Sequence, residues 1–304
     1  MTPAVFDRRT VRQHRDRAAR RLSEHDFLFR EVAQGLAERL DDVNRTFRVA
    51  LELGAHGDVL TESLAGRNGI EQIVRCDQSA PMVTCGRPAS CVVADEECLP
   101  YAPASFDLIV SSLSLHWVND LPGALVQIRR ALKPDGLFIG ALFGRATLSE
   151  LREALLEAEL AECGGAGPRI SPFVDVRDAG GLLQRAGFTL PVVDTDTITV
   201  SYSSALDLMR DVRGMGESNA VAERRRSFTR RSTLLRAAAI YADRHADEEH
   251  RIPATFQVVT LTGWAPHETQ PKPLRPGSAV HRLSEALGVS ELSGGEKADP
   301  RRNH

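Results

Sequence analysis

The chain of 304 residues contains no run of about 18 apolar residues, so no segment of it reads as a membrane-crossing helix. Its five cysteines, Cys76, Cys85, Cys91, Cys98 and Cys163, form no CxxC pair and no zinc-type spacing. An odd count in a chain of this length points to a reducing compartment and to free thiols packed, buried or half-buried, as small hydrophobes. A basic excess is also missing: the formal net charge is −3, which speaks against a dedicated nucleic-acid binder. There is no GxGxxG turn, which disfavours a dinucleotide ligand. No apolar core follows the N-terminus, so an ordinary secretory signal is not expected. The start is rich in arginine, from Arg8 to Arg21, but Asp7, Asp16, Glu24 and Asp26 interrupt it, whereas transit peptides are poor in acids. A basic helix of the mature protein is expected here, either laid over a cleft or an acidic surface or simply solvated. No internal repeat is visible, and the length allows one large domain or one and a half small ones.

What is present is an alternation of periods. Phe27, Leu28, Val32, Leu36 and Leu40 fall at helical spacing. Val49 to Leu53 is a short apolar strand ending in Gly54, and Val59 to Leu64 reads as a helix. Ile73-Val74 before Cys76-Asp77, then Cys91 to Ala94, then Phe106 to Val110, supply three further strands. Asp120 to Leu132 is a helix with Pro122 in its first turn. Lys133 to Gly136 is a turn signal, and Leu137 to Phe143 a fifth strand. Thr147-Leu148-Ser149-Glu150 has the form of a capping box, opening a helix to about Glu162. A helix from Val176 to Ala186, a strand from Val192 to Tyr202, helices Ala205 to Val212 and Thr233 to Arg244, and a strand Thr255 to Thr262 complete the series.

Strands alternating with helices give an α/β fold, Rossmann-like, with a mostly parallel twisted sheet and helices on both faces. The near-continuous apolar strands agree, since both faces of such a sheet are buried. N-terminal helices and a helical insertion before the last strand are added to it. The expected parts are an N-terminal helical cap (1–46), a core (47–145), a C-terminal part with the insertion (146–265) and a Pro-rich extended tail (266–304), polar and disordered towards its end.

A doubly wound sheet binds ligands at the carboxyl ends of its strands. Strand one ends in Glu52-Leu53-Gly54-Ala55-His56-Gly57, a glycine turn that lets backbone approach a ligand. Asp77 ends strand two, 23 positions past Gly54 and near the roughly 20 expected of a ribose-binding acid. Asp95, with Glu96 beside it, ends strand three, where an acid can meet a base amine. Gly54, Gly57, Asp77, Asp95 and Glu96 are therefore the candidate cofactor-binding residues. Their order within one five-strand series points to a nucleotide-type site.

The stretch from Ala94 to Gly136, ADEECLPYAPASFDLIVSSLSLHWVNDLPGALVQIRRALKPDG, resembles the core of the class I S-adenosylmethionine-dependent methyltransferases. It is similar to the branch of the biotin-pathway malonyl-carrier methyltransferases and the complex I assembly factors. FDR (Phe6 to Arg8), RAAR (Arg17 to Arg20), SLHWVNDLP (Ser114 to Pro122), ISPF (Ile170 to Phe173), LLQRAGF (Leu182 to Phe188), GMGESN (Gly214 to Asn219), PATFQ (Pro253 to Gln257) and PGSA (Pro276 to Ala279) resemble the assembly-factor side. The resemblance implies S-adenosylmethionine as cofactor, with Glu52, Asp77 and Asp95 matching the family's acids and Gly54 its first glycine. His56 departs from the pattern, which has a second glycine there, so its side chain narrows the approach to the methionine carboxylate. The resemblance also implies hydroxylation of an arginine on the iron–sulfur subunit of NADH dehydrogenase, beside the quinone site of complex I.

Methyl transfer asks mainly for alignment in a dry pocket. His116 and Trp117, just past strand four, mark the acceptor side. His116 is the candidate proton acceptor, or else a structural cap for the next helix. Trp117 is a pocket wall or core. Hydroxylation needs an oxidant, commonly iron on two His and one carboxylate. His14-Arg15-Asp16 and His245-Ala246-Asp247 have the spacing but sit in expected helices, so no metal site is assigned. Arg224 to Arg226 and Arg230-Arg231 read as a solvated helix face or a docking surface for an acidic partner or anionic membrane. Three readings stay open: an arginine-modifying assembly enzyme, an O-methyltransferase of a small molecule or acyl carrier, and a non-catalytic binder of the cofactor. A bacterial cytoplasm is the expected location, with the mitochondrial matrix face of the inner membrane as the eukaryotic counterpart.

Overall fold

The computed structural model describes residues 4–86, 90–173, 176–271 and 288. The side chains of residues 163 and 176–178 lie outside that description, as do the PGSA segment and most of the expected tail. The chain divides into two units, Met1–His267 and Glu268–His304, and the sheet belongs wholly to the first.

Seven strands form one sheet in the order β3-β2-β1-β4-β5-β7-β6. They are β1 (Val49–Leu53), β2 (Gln72–Asp77), β3 (Ser90–Val93), β4 (Phe106–Ser112), β5 (Leu132–Phe143), β6 (Thr189–Tyr202) and β7 (Ile252–Trp264). The first five pair in parallel, and β7 inserts antiparallel between β5 and β6. This is the mostly parallel sheet the alternation predicts. The sequence order of the strands reverses between β1 and its neighbour β4. A crevice opens at such a switch point, because the connections leave β1 and β4 towards opposite sides.

The helices are α1 (Arg8–Ala18), α2 (Phe27–Asp41), α3 (Val59–Leu64), α4 (Ala80–Thr84), α5 (Leu121–Ala131), α6 (Ser149–Cys163), α7 (Val176–Arg185), α8 (Ala205–Met215) and α9 (Arg231–His245). Asp7 caps α1 by accepting from the Thr10 amide at 3.1 Å, and Asp120 caps α5 by accepting from the Gly123 amide at 2.9 Å. Each satisfies an orphan donor of the first turn. The sheet buries both faces. Leu28, Phe29, Leu36 and Leu40 of α2 join Ala154, Leu208 and Tyr241 on one side, while Leu125, Ile128 and Leu183 pack on the other.

Two local expectations fail. The capping box at α6 does not form: Leu148 enters the helix in a left-handed conformation, Thr147 Oγ1 donates to the Gln257 carbonyl at 3.0 Å, and Glu150 accepts from Thr255 instead. Both side chains are taken by β7, so a tertiary partner outcompetes the local one. The Lys133 to Gly136 turn is absorbed into β5, with Asp135 at φ 62° and a register shift between Phe106 and Leu108 on β4. α4 is too short to show a period in the sequence.

Candidate active site

β1 ends at Gly54, whose φ of +77° is a left-handed conformation suited to glycine. A Cβ there would lie 2.0 Å from Ser114 Oγ. Ser114, just past β4, fills the space that a side chain at this position would take. Gly57 also has positive φ, +65°. Asp77 closes β2 fully buried, and its Oδ1 accepts from the Ser79 amide at 2.7 Å. Glu96 is equally buried and accepts from Ser114 Oγ at 2.7 Å.

These acids are held by the N-terminal basic helix. Arg15, buried in α1, donates to Asp77, to Glu96 at 3.1 Å and to Ser114 Oγ at 2.8 Å. Arg8 donates to Glu96 and, at 2.6 Å, to Asp95. Burial opposes the charge of Glu96, but Arg15 and Arg8 more than offset this and hold its carboxyl below the usual range. The basic helix is thus laid over the crevice, and its inward cations answer the crevice's acids. Of the pair at the end of β3, Glu96 points into the site. Asp95 is partly exposed and faces Arg8.

On the acceptor side, residues 115–117 form a short 3₁₀ turn. His116 Nε2 lies 2.9 Å from Glu217 Oε2, and Trp117 Nε1 donates to the same oxygen at 2.8 Å. Phe6 stacks edge-on against Trp117 with centroids 5.4 Å apart. His56 is buried and stacked on Phe29 at 3.9 Å, and its Nε2 is 3.9 Å from Glu217 Oε1. Burial, then Arg15 and His116, push its pKa well down, so the ring is neutral. Arg15, Ser114 and Glu217 escaped the sequence reading. The only signal for Glu217 was its place in GMGESN.

Glu52 sits inside β1, where its Oε2 accepts from Thr61 Oγ1 at 2.6 Å. Burial lifts its pKa from 4.5 to about 7, against the pull of Thr61 and Arg75. The folded protein keeps a proton that the unfolded chain releases above its own pKa. The contribution of Glu52 to stability is therefore full below pH 4.5 and is lost, by about 3 kcal/mol, as pH rises through about 7. Glu52→Gln should remove this decline. Buried Asp77 adds a decline of the same sign that Glu52→Gln leaves in place. Urea unfolding between pH 4.5 and 8 checks it, and an unchanged slope in the variant would refute it.

Elsewhere, Arg224 leaves the expected solvated face and donates to Asp7 at 3.2 Å and Thr10 Oγ1 at 2.7 Å, since residues 221–230 are not helical. Cys98 is exposed rather than buried, at a turn after Glu97, while Cys76 is buried with its thiol pushed up to about 12 by burial. His14 contacts the Ser218 carbonyl at 3.1 Å, and Asp247 accepts from the Arg251 amide at 2.8 Å. Each HxD pair is thereby tied into local structure. Among the described residues no group of three His, Cys, Asp or Glu is arranged for a metal ion.

A family profile described as a methyltransferase domain matches residues 51–140. The chain is 47% identical over 294 residues to "Arginine-hydroxylase NDUFAF5, mitochondrial" of Danio rerio, covering 95% of this chain and 91% of that one. It is 36% identical over 271 residues to "Malonyl-[acyl-carrier protein] O-methyltransferase" of Xylella fastidiosa (strain M23), covering 86% and 89%. A solved structure from Bacillus halodurans C-125, assigned as a methyltransferase, shares the fold with a TM-score of 0.53 at 10% identity, over 77% of this chain and 99% of that one. The sheet order and the acids at its switch point define a class I S-adenosylmethionine-dependent methyltransferase fold. Within that superfamily, the chain belongs to the family that holds the NDUFAF5 arginine hydroxylases and the malonyl-carrier O-methyltransferases.

The donor set fits S-adenosylmethionine. Asp77 and Glu96 are buried acceptors already bonded to N–H groups of Arg15, as they would be to hydroxyl or amine hydrogens of a nucleoside. In this structure Arg15 and Ser114 occupy those acceptors, and Ser114 also occupies the space above Gly54.

Proposed function

We propose that this protein binds S-adenosylmethionine through Glu52, Gly54, Gly57, Asp77, Asp95 and Glu96 and modifies an arginine side chain of a protein partner. The partner is the iron–sulfur subunit of NADH dehydrogenase, near the quinone site, and the change is addition of one oxygen atom during complex I assembly, a two-electron oxidation in which dioxygen and an external two-electron donor supply the oxygen atom and one water. When bound, the cofactor supplies a sulfonium cation with an activated methyl group. His116 and Trp117 hold the Glu217 carboxylate on the acceptor side, and His116 is the group able to carry a proton there.

The observation that carries this reading is the sign of that group. An acceptor site for a malonyl carboxylate should present a cation, because two buried anions repel at short range. This chain instead presents Glu217, whose side chain is only 6% exposed. A carboxylate suits a guanidinium. The named activity of the 47% identical relative supports the same choice over the O-methyltransferase. The protein then acts where complex I is assembled, at the inner face of the membrane: the cytoplasm of a bacterium or the mitochondrial matrix of a eukaryote.

Mass spectrometry of the iron–sulfur subunit, purified with and without the gene, tests the reading. One arginine should lose the mass of one oxygen when the gene is absent. An unchanged subunit in an intact complex would overturn it.

A further inference from the structure

Beside Glu217 lies a cavity of about 400 Å³, within the size range of ligand pockets. Its walls come from α6 (Leu151, Leu155) and α8 (Met209, Val212), with Ile170 and Phe173 of the ISPF segment. Phe173 packs on His116 at 5.7 Å between centroids, so the cavity adjoins the acceptor side of the site. Two arginines also line it. Arg169 is bound by Glu159, which offsets its charge, and Arg213 is exposed, so its charge is solvated.

Ser171, Ser218, Asn219 and Thr229 add polar groups to the lining, and Glu217 is its one carboxylate, whose two oxygens differ. Oε2 accepts from Trp117 and meets His116, whereas Oε1 is buried with no hydrogen-bond partner. A buried acceptor without a donor costs roughly 1–3 kcal/mol, more when charged, so it marks a place where a ligand's donor belongs. The fixed Oε2 also fixes the direction of Oε1.

We propose that this cavity seats the arginine side chain of the partner, its methylene stem against Leu151, Leu155, Met209 and Val212 and its guanidinium donating to Glu217 Oε1. Glu217 is thereby the residue that selects a cation, and GMGESN is a substrate-reading motif. Gly216, at φ +87°, ends α8 against Ala18 of α1, while Asn219 donates to the Pro168 carbonyl at 2.7 Å. The motif is pinned on both sides of its glutamate. This assignment rests on the arginine reading above.

The test is calorimetric titration of the full-length protein with a short alanine peptide carrying one central arginine, and with its twin carrying citrulline. Citrulline keeps the shape and removes the charge. The arginine peptide should bind at least about tenfold more tightly, the ratio expected of one charge-assisted hydrogen bond. Glu217→Gln should abolish that ratio, and Met209→Trp, which fills the cavity, should weaken both peptides alike. Equal affinity for the twins, no binding of either, or a preference that survives Glu217→Gln in a folded variant would each overturn the assignment. If Glu217→Gln does not fold, the twin peptides on the unmutated protein and Met209→Trp still decide. An arginine preference with an unmodified iron–sulfur subunit would leave the pocket standing and remove only the proposed reaction.

Discussion

Replacing Arg15 by methionine is expected to destabilise the ligand-free protein by about 3–5 kcal/mol, the usual cost of stripping a buried ion pair of one partner. Arg15 is 1% exposed, and it donates to Asp77, Glu96 and Ser114 at once. Methionine keeps much of the volume of the stem but leaves Asp77 without its cation and Glu96 with Arg8 alone. Burial already holds the Asp77 carboxyl above its ordinary value against the pull of Arg15, so without Arg15 it rises further, and Glu96 loses part of what holds it low. The variant is then least impaired in acid, and its deficit grows as pH rises through those values. Urea unfolding of both proteins at pH 5 and pH 8 reads this directly. A deficit under about 1 kcal/mol, or one larger at pH 5, would show that Arg15 does not neutralise the pair. Adenosylmethionine should narrow the gap, because the ligand brings a cation and its own donors to acceptors that the variant leaves unmet, and it binds only the folded state.

The same contact explains what could and could not be seen in the sequence. Strand ends are legible because burial on both faces demands continuous apolar runs, and Gly54 and Asp77 stand out as the residues that break them. The choice between Asp95 and Glu96 was not legible. Which of two neighbouring acids turns inward depends on where Arg8 and Arg15 reach from, 81 to 88 positions away. Arg15 itself looked like any other member of a basic helix, since a helix's inward face cannot be identified until its partner surface is known. Glu217 was visible only as a letter in a motif. Its neighbours His116 and Trp117 lie about 100 positions earlier, and nothing local to α8 announces them. FDR became intelligible in the same way: Phe6 packs on Trp117, Asp7 caps α1, and Arg8 reaches the acids of β3. The capping box failed for the converse reason, because a strong local pattern lost its side chains to β7.

Gly54→Ala is expected to cost roughly 2–5 kcal/mol, combining a left-handed conformation for a residue with a Cβ, about 1–2, and overpacking, about 1–3. The two parts can be separated. The added Cβ would lie 2.0 Å from Ser114 Oγ and 2.1 Å from Ser114 Cβ, so nearly all of the clash is with one side chain. Ser114→Gly removes that side chain and, with it, hydrogen bonds to Arg15 and Glu96. It should be destabilising alone. In the double variant the clash has gone while the backbone strain at φ +77° remains. The double variant should therefore lose less stability than the sum of the singles, with a coupling of about 1–3 kcal/mol measured in a double-mutant cycle by urea unfolding. Simple additivity would mean that Ser114 swings aside at little cost when Gly54 gains a Cβ. A ligand would then displace Ser114 from the turn at equally little cost, and Arg15 alone would guard the crevice.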